Sequence, residues 1–507
     1  MPHDQHQEGS LPAPLLFSLW LLAGAIMFKS FNQLHSDYDL FWHLMMGEEI
    51  LRKGAIQRFD SYSFTAFGQA LFNHEWLSEV ILAGWNRVFG EWGVIFFRWI
   101  MSGLIVGLGL NLIFFLSKTP LARIVVFLCF VLVLRAGISF RVHLFSMVFL
   151  LILLNAISFS LKEERLPRTA GVALLFLVWA NCHGAFVLGL LVWLIYVGEH
   201  LIKRGLLSGI KGVILPGLLP ALATLVNPYG AGLWGYIIRE LSNPISSAYI
   251  TEWRHFSFAP RELAFFLVCG MCWALLFMSG RKKRLAETVI LVIATLMGFT
   301  SVRHTPLFVI LCLPLMTTLV DGAMLRLYAF SKQGKPLSGP LMVIPAGIFC
   351  GLAALFVFMG IPHTWRIDME KDSLPIQLVH FMETNGMKGN LFLPLHWGGY
   401  ALFHLYPEVR VSIDGRWGMV YPHEVMADAM AFAYEGENGQ WKTLLNKYRA
   451  DFALVETGNR ASSEMAADPE WTIAVSYPEG SLLVKKKWLG ALPHPLKIPD
   501  RKEPSWP

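Results

Sequence analysis

Asp37 and Asp39 stand one residue apart just beyond the first long apolar run, and Arg135, Arg141 and Arg303 sit at the tips of later apolar hairpins. With them come His143, Asn181, His183 and His304, and His74 and Glu75 in the loop after the first run. Guanidinium and imidazole groups beside carboxylates at one membrane face suit a phosphate-bearing lipid. Cations stabilise a departing phosphate, and a carboxylate near the interface can take the proton of an acceptor hydroxyl. An arginine at the centre of a spanning helix costs about 3 kcal/mol on insertion scales, so its retention asks for a partner.

Each of these residues has a plainer reading. A hairpin arginine can snorkel to ordinary headgroups. Asp37-Tyr38-Asp39 can cap the helix that follows it, its charges favouring the amino-terminal dipole end. Asp37 is preferred as base because a carboxylate ahead of the helix can point into a cavity; Asp39 is close behind. His74 and Glu75 could hold a divalent metal with either aspartate, but the spacing is not that of a ligand set, so packing is preferred and no metal is assigned. Candidate acceptor or sugar contacts are His74, Glu75, Asn181, Tyr229, Glu252, Asp414 and Arg416. The alternative for the last two is a tight turn in which Asp414 pairs with Arg416.

The surrounding chain is built for a bilayer. It has 507 residues, 55% hydrophobic and only 15% charged, with 18 Trp and 37 Phe. That composition belongs to a polytopic α-helical membrane protein with aromatic belts. The formal charge of +6 does not argue for nucleic acid, because Lys and Arg collect in short loops between apolar runs. All six cysteines fall in or beside apolar segments, which offers no disulfide framework or zinc ribbon.

About eleven spans are expected: Pro14–Phe31, Trp92–Leu116, Leu121–Phe140, Val142–Leu161, Thr169–Asn181, Ala185–Ile202, Gly212–Val226, Leu263–Met278, Leu285–Thr300, Thr305–Leu319 and Leu341–Ile361. The first run reads as a retained span rather than a signal peptide. Lys162, Arg165 and Arg168 precede Thr169, and Lys203, Arg204 and Lys211 follow Ile202, so Asn181–Gly184 is a turn between two spans. An odd span count with the amino terminus inside places the carboxyl-terminal domain outside, with the large first loop.

That loop, residues 32–91, completes a membrane domain of residues 1–362. It is expected to carry helices over Tyr38–Arg52 and His74–Val88, the second presenting Trp76, Leu77, Val80, Ile81 and Trp85 as its apolar side. Tyr229 and Glu252 lie in another outer loop, Asn227–Arg261. Residues 363–484 read as a soluble α/β domain with strands over Leu391–Leu395, Arg410–Ile413, Asp451–Val455 and Trp471–Val484. Its expected helices are Ser373–Asn385, His423–Tyr434 and Gln440–Tyr448. The Pro- and Lys-rich tail, residues 485–507, is expected to be flexible.

Several segments are similar to a known group. They are Asp37-Tyr38-Asp39 with Trp42-His43-Leu44 and Gly47, Phe59-Asp60-Ser61-Tyr62-Ser63-Phe64-Thr65, and His74-Glu75-Trp76-Leu77-Ser78-Glu79 with Phe89-Gly90. Further on come Trp179-Ala180-Asn181-Cys182-His183-Gly184, Asn227-Pro228-Tyr229-Gly230 and Asp414-Gly415-Arg416. Together they resemble the GT-C class of polytopic glycosyltransferases, in particular bacterial members with an external carboxyl-terminal domain. The resemblance covers most of the chain. It implies a lipid-phosphate sugar donor and an acidic catalytic residue in the first external loop, hence Asp37 or Asp39. The Trp-Trp-Asp-Tyr-Gly signature of oligosaccharyltransferases is absent, and His396-Trp397-Gly398-Gly399-Tyr400 is no substitute. Transfer of whole oligosaccharides to asparagine is therefore not expected, nor the metal that a diphosphate donor would favour.

The expectation is a metal-independent, inverting glycosyltransferase of the bacterial inner membrane, without cofactor. It would move a hexosyl or pentosyl group from a polyprenyl-phosphate donor to an extracytoplasmic glycan, lipid or protein. The donor phosphate would be held by Arg135, Arg141, His143, His183, Arg303 and His304. The alternative is a non-catalytic scaffold or lipid-sugar-binding partner in envelope glycan assembly. A transporter would need helices broken near mid-membrane and inverted repeats. Pro216 and Pro220 offer a little of the first and nothing offers the second.

Overall fold

The structure, a computed structural model, describes residues 11–32, 37–204, 206–241, 253–259, 262–280, 284–331, 343–361, 367, 369, 374–435, 440–490 and 497. The helices up to residue 360 are α1 (Ala13–Phe31), α2 (Leu40–Lys53), α3 (Trp76–Phe89), α4 (Glu91–Leu116), α5 (Pro120–Leu134), α6 (His143–Lys162) and α7 (Thr169–Trp179). They continue with α8 (Phe186–Arg204), α9 (Leu206–Ala223), α10 (Gly232–Leu241), α11 (Leu263–Met278), α12 (Leu285–Thr300), α13 (Thr305–Ser331) and α14 (Val343–Gly360). Among the described residues six helical stretches are long and apolar enough to cross a membrane, and five shorter apolar helices accompany them. Backbone polarity must be satisfied inside each such segment, which is why apolar runs of this length become helices.

Helices α1 and α5 open on proline in their first turn, where the missing N–H has no partner to lose. The turn between α7 and α8 falls at 180–185, where the flanking charges require it. One helix runs past its expected end. Leu319 looked like the last residue before a charge, yet α13 continues to Ser331. The reason is Asp321, which is buried and accepts from Ser117 Oγ at 2.7 Å, Lys118 N at 2.9 Å and Thr119 N at 2.8 Å. Its charge is spent on the backbone that starts α5, so the helix need not stop there.

The first loop folds back over the hairpin tips through α2 and α3. Their contact is close: a Cβ on Gly47 would stand 2.2 Å from the carbonyl oxygen of Glu79. It decides which side of α3 the protein buries. Its buried face is Ser78, Glu79, Leu82 and Ala83, while Trp76, Leu77, Val80, Ile81 and Trp85 are only half-buried. The small residues and the glutamate turn inward because α2 approaches too closely for large side chains.

The carboxyl-terminal part holds a five-stranded sheet of β1 (Gly389–Phe392), β2 (Val409–Val411), β3 (Phe452–Glu456), β4 (Trp471–Tyr477) and β5 (Gly480–Lys485) in the order β2-β1-β3-β5-β4. The first three are mutually parallel, and β5 and β4 run antiparallel. Trp471–Val484 is thus a hairpin rather than one strand, turning at Pro478-Glu479. Leu395, expected to end a strand, instead begins a helix, Leu395–Leu405. Its two glycines lower helix propensity but admit neighbours: a Cβ would meet Ile413 O at 2.0 Å from Gly398 and Tyr38 O at 2.8 Å from Gly399. The tail begins with a short helix, Lys486–Leu489, and apart from Gly490 and Lys497 the rest lies outside the described residues.

The first loop also covers the sheet's edge. Ser63 bridges Val411, and Phe64 N–H donates to Val411 O at 3.2 Å. Edge strand β2 is thereby shielded.

Candidate functional site

Arg141 lies just ahead of α6, and its guanidinium reaches the start of α2. Its Nε lies 2.6 Å from Asp37 Oδ2 and its Nη2 lies 3.1 Å from Asp39 Oδ2. The remaining oxygen of each aspartate is held by the loop itself. The backbone N–H of Asp39 donates to Asp37 Oδ1 at 3.1 Å, and Trp42 Nε1–H donates to Asp39 Oδ1 at 3.0 Å. Asp39 immediately precedes α2, but its side chain makes no capping hydrogen bond. Both acids face the arginine rather than the helix end.

Two glycines, Gly415 in a turn and Gly399 in the helix Leu395–Leu405, press on this point. A Cβ on Gly415 would lie 2.2 Å from Asp39 Oδ1 and from Trp42 Nε1. Gly399 backs onto Tyr38 and Trp42, and the Tyr38 and His396 rings meet edge-on at 5.3 Å. The segments around 37–42, 396–400 and 414–416 are thus one packed unit.

A second, buried set of groups adjoins the first. Glu79 Oε1 lies 3.2 Å from His43 Nδ1, and its other oxygen accepts from Asn73 Nδ2 at 2.5 Å. Glu75 Oε1 is 3.4 Å from His183 Nε2 and 3.6 Å from His74 Nε2. Burial pushes the Glu75 carboxyl up to about 8, with Asp39 adding to the rise and Arg303 and Arg141 opposing it. Burial raises Glu79 as well, lowers His74 to about 4, and lowers His43 and His183 well below the usual imidazole range. Burial thus disfavours the charged form of every group in this set. Donor atoms of His43, Glu75 and Glu79 come within 4.8 Å of one another. Within this trio His43 and Glu79 share a hydrogen bond, while Glu75 Oε1 faces His183 and His74.

The hairpin tips are tied to the loop. Trp76 Nε1–H donates to Asn181 Oδ1 at 2.9 Å, Ser78 Oγ–H to Cys182 O at 2.7 Å, and the Asn73 N–H to Tyr229 Oη at 2.8 Å. Asn181 Nδ2 also donates to Val226 O at 2.8 Å. Asn181 and Tyr229, expected as sugar contacts, are thus engaged in joining elements.

The expected phosphate ligands separate into two groups. Arg141 meets both aspartates, and His183 and Arg303 lie close enough to act on Glu75. The Arg303 guanidinium also lies over the Trp253 ring, 4.6 Å from its centre. His143 Nε2 is 2.7 Å from Gly137 O and His304 Nδ1 is 3.2 Å from Met297 O, so each donates to a carbonyl of its own hairpin. Arg135 is exposed in a short turn, Arg135–Gly137. Glu252 lies outside the described residues.

Asp414 and Arg416 are fully buried in an ion pair, Arg416 Nε to Asp414 Oδ1 at 2.8 Å and Nη2 to Oδ2 at 2.6 Å. Arg416 Nη1 also binds Asp60, whose other oxygen accepts from Ser63 Oγ at 2.6 Å. This pair locks the first loop onto the sheet.

The sequence matches no family model and no curated protein. Among solved structures, the chain is similar to the oligosaccharyltransferase of Archaeoglobus fulgidus in its apo form. The TM-score is 0.53 at 9% identity, over 87% of this chain and 69% of the other. The chain has the GT-C fold. ArnT from Cupriavidus metallidurans in the apo state gives a TM-score of 0.49 at 12% identity, over 92% and 96%.

Within this GT-C fold, sequence reasoning assigned no role to His43, Asn73, Glu79, Asp60 and Trp42. One signal existed. His43 and Glu79 are polar residues within largely apolar helical segments, and a charged or titratable residue that is buried there needs a partner. Spacing alone did not say whether they are buried.

Proposed function

We propose that the protein is an integral-membrane glycosyltransferase that moves a sugar from a polyprenyl-phosphate-linked donor to an extracytoplasmic acceptor, a cell-envelope glycan, lipid or protein. The observation that carries this reading is the contact of one guanidinium, Arg141, with two carboxylates, Asp37 and Asp39, at the helix ends where the loop folds over the tips. An acid to take the acceptor proton and a cation to receive a leaving phosphate stand within one contact of each other. The hairpin-tip end faces the extracytoplasmic side, because the basic loops lie at the opposite ends of the helices. The GT-C fold supports the class of reaction.

In the proposed step the acceptor O–H proton passes to an aspartate and the acceptor oxygen attacks the anomeric carbon from the face opposite the phosphate. The bond to the phosphate oxygen breaks, inverting the centre and releasing polyprenyl phosphate. Arg141 carries the charge gained by that oxygen, with Arg303 nearby. The adjoining Glu75 and His183 face each other and make the surroundings of the acid pair polar.

The test is incubation of purified protein with a panel of polyprenyl-phosphate sugars, with release of free lipid phosphate as the readout. Replacing the aspartate that acts as base by asparagine lowers turnover by about 10² to 10⁴ while the protein stays folded. Undiminished transfer by Asp37→Asn, Asp39→Asn and the double variant would remove the assignment. Binding of every donor without transfer would support the scaffold reading instead.

A further inference from the structure

We infer that the two aspartates divide their hold on Arg141: Asp37 is its permanent anchor, and Asp39 is the base, masked by Arg141 until the donor's phosphate draws that guanidinium away. The inference rests on the glycosyltransferase reading above and gives the order in which the site is used.

The two contacts are unequal. Asp37 is the closer partner, an ion pair 2.6 Å from Nε that lacks hydrogen-bond geometry, with a side chain only 10% exposed; Asp39 is 3.1 Å from Nη2 and 26% exposed. A base must reach an incoming hydroxyl, so the more open carboxylate is suited to that work and the enclosed one to positioning. Trp42 Nε1–H fixes Oδ1 of Asp39, and Oδ2 is the oxygen that meets Arg141. Asp37 is held differently. Its second oxygen accepts the Asp39 backbone N–H, so the anchor and the mask are parts of one turn.

A phosphate oxygen competes with a carboxylate for the same N–H donor, and a guanidinium fork matches phosphate geometry; the donor phosphodiester carries one charge, as Asp39 does, and the monoester released by transfer carries more. When the donor's phosphate takes Nη2, Arg141 stays on Asp37 through Nε and Asp39 Oδ2 is uncovered. The acceptor O–H bond then breaks with its proton going to that oxygen. The acceptor oxygen bonds to the anomeric carbon, and the electron pair of the departing bond goes to the phosphate now held by Arg141. Without a donor the base stays neutralised, so acceptor alone is not activated. Asp37 is a positioning residue in this scheme and Asp39 a catalytic one.

Binding of a sugar-free polyprenyl monophosphate to the detergent-purified full chain tests the mask directly. Asp39→Asn removes the competitor for Nη2 and keeps an oxygen for Trp42, so it binds the lipid roughly tenfold more tightly than wild type. In an Arg141→Gln background the same substitution changes binding less than about twofold. Asp37→Asn weakens binding, because the anchor is lost. Unchanged or weaker binding by Asp39→Asn overturns the inference. So does equal tightening in the Arg141→Gln background, which is mere removal of a negative charge. A wild-type protein that binds no polyprenyl phosphate overturns the glycosyltransferase reading itself, and this inference with it. Initial-rate kinetics of the unaltered protein give an independent check: donor binds before acceptor, and an acceptor-first order overturns the mask.

Discussion

His183 and Glu75 face each other with their protons assigned by the surrounding hydrogen bonds. Nδ1 of His183 accepts the Ala185 N–H at 3.1 Å and lies 2.9 Å from Ser146 Oγ, which itself accepts the Trp179 indole N–H at 2.7 Å. An imidazole nitrogen that accepts carries no hydrogen, so the neutral ring bears its proton on Nε2, 3.4 Å from Glu75 Oε1. A main-chain amide thus decides which face of a histidine the carboxyl meets.

The pH dependence of stability follows from this burial. Glu75 rises from 4.5 to about 8 in the folded chain, so between those values the native state binds more protons than the unfolded state. Stability from this group therefore falls as pH rises through that window. Glu75→Gln stays neutral and escapes the fall. Its melting temperature gains on wild type between pH 5 and pH 8.5, by the equivalent of a few kcal/mol. His74, lowered from 6.5 to about 4, has the opposite slope, stability rising with pH between those values in both proteins. Parallel melting curves across the whole range would show that Glu75 ionises normally.

Gly415→Ala is a test of geometry at the acid pair. The new methyl would sit 2.2 Å from Asp39 Oδ1 and from Trp42 Nε1, so one or both must move. Displacement of a reacting group by about 1 Å lowers turnover on the order of 10²-fold. Transfer assays should show that loss with donor binding much less affected. Wild-type turnover would mean that the turn is not held against Asp39.

Arg416→Ala strands two buried carboxylates, Asp414 and Asp60. Breaking a buried pair in this way costs about 3–5 kcal/mol. The first loop should become protease-sensitive and the melting temperature should drop sharply. Asp60→Asn together with Asp414→Asn, in the Arg416→Ala background, restores part of it. If the single variant melts like wild type, the cluster does not join the loop to the sheet.

Gly47→Ala probes the approach of α2 to α3, where a Cβ would meet Glu79 O at 2.2 Å. Overpacking of this kind costs about 1–3 kcal/mol. Thermal melting should show it. The separation would also pull His43 from Glu79, so loss of stability without any change in transfer would argue that this buried pair is remote from the reaction.

Much of the architecture could be read from residue types, because burying backbone in lipid leaves few solutions for apolar runs of this length. The flanking charges placed the turn at Asn181-Cys182-His183-Gly184, and residue chemistry singled out Arg141, Asp37 and Asp39 before their contact was known. The orientation of α3 could not be read so. Its apolar side reads as interfacial, and only the close approach at Gly47 makes Ser78 and Glu79 the side buried in the protein. The helix beginning at Leu395 was hidden by Gly398 and Gly399, which local propensity disfavours and which only the neighbouring Ile413 and Tyr38 explain. For His143 and His304, type suggested phosphate, whereas position in the hairpin gave each a carbonyl.

Asp60 and Arg416 are separated by 356 positions along the chain. During synthesis the amino-terminal loop therefore waits, with a charged group and an uncovered strand-like segment, until Arg416 has been made. The turn bearing Gly415 arrives against Asp39 at the same late moment. Assembly of this corner is thus a closing event in the life of the newborn chain, and a ribosome that stops short of the sheet leaves the helices up to residue 360 made and the contact of Asp39 with the Gly415 turn missing.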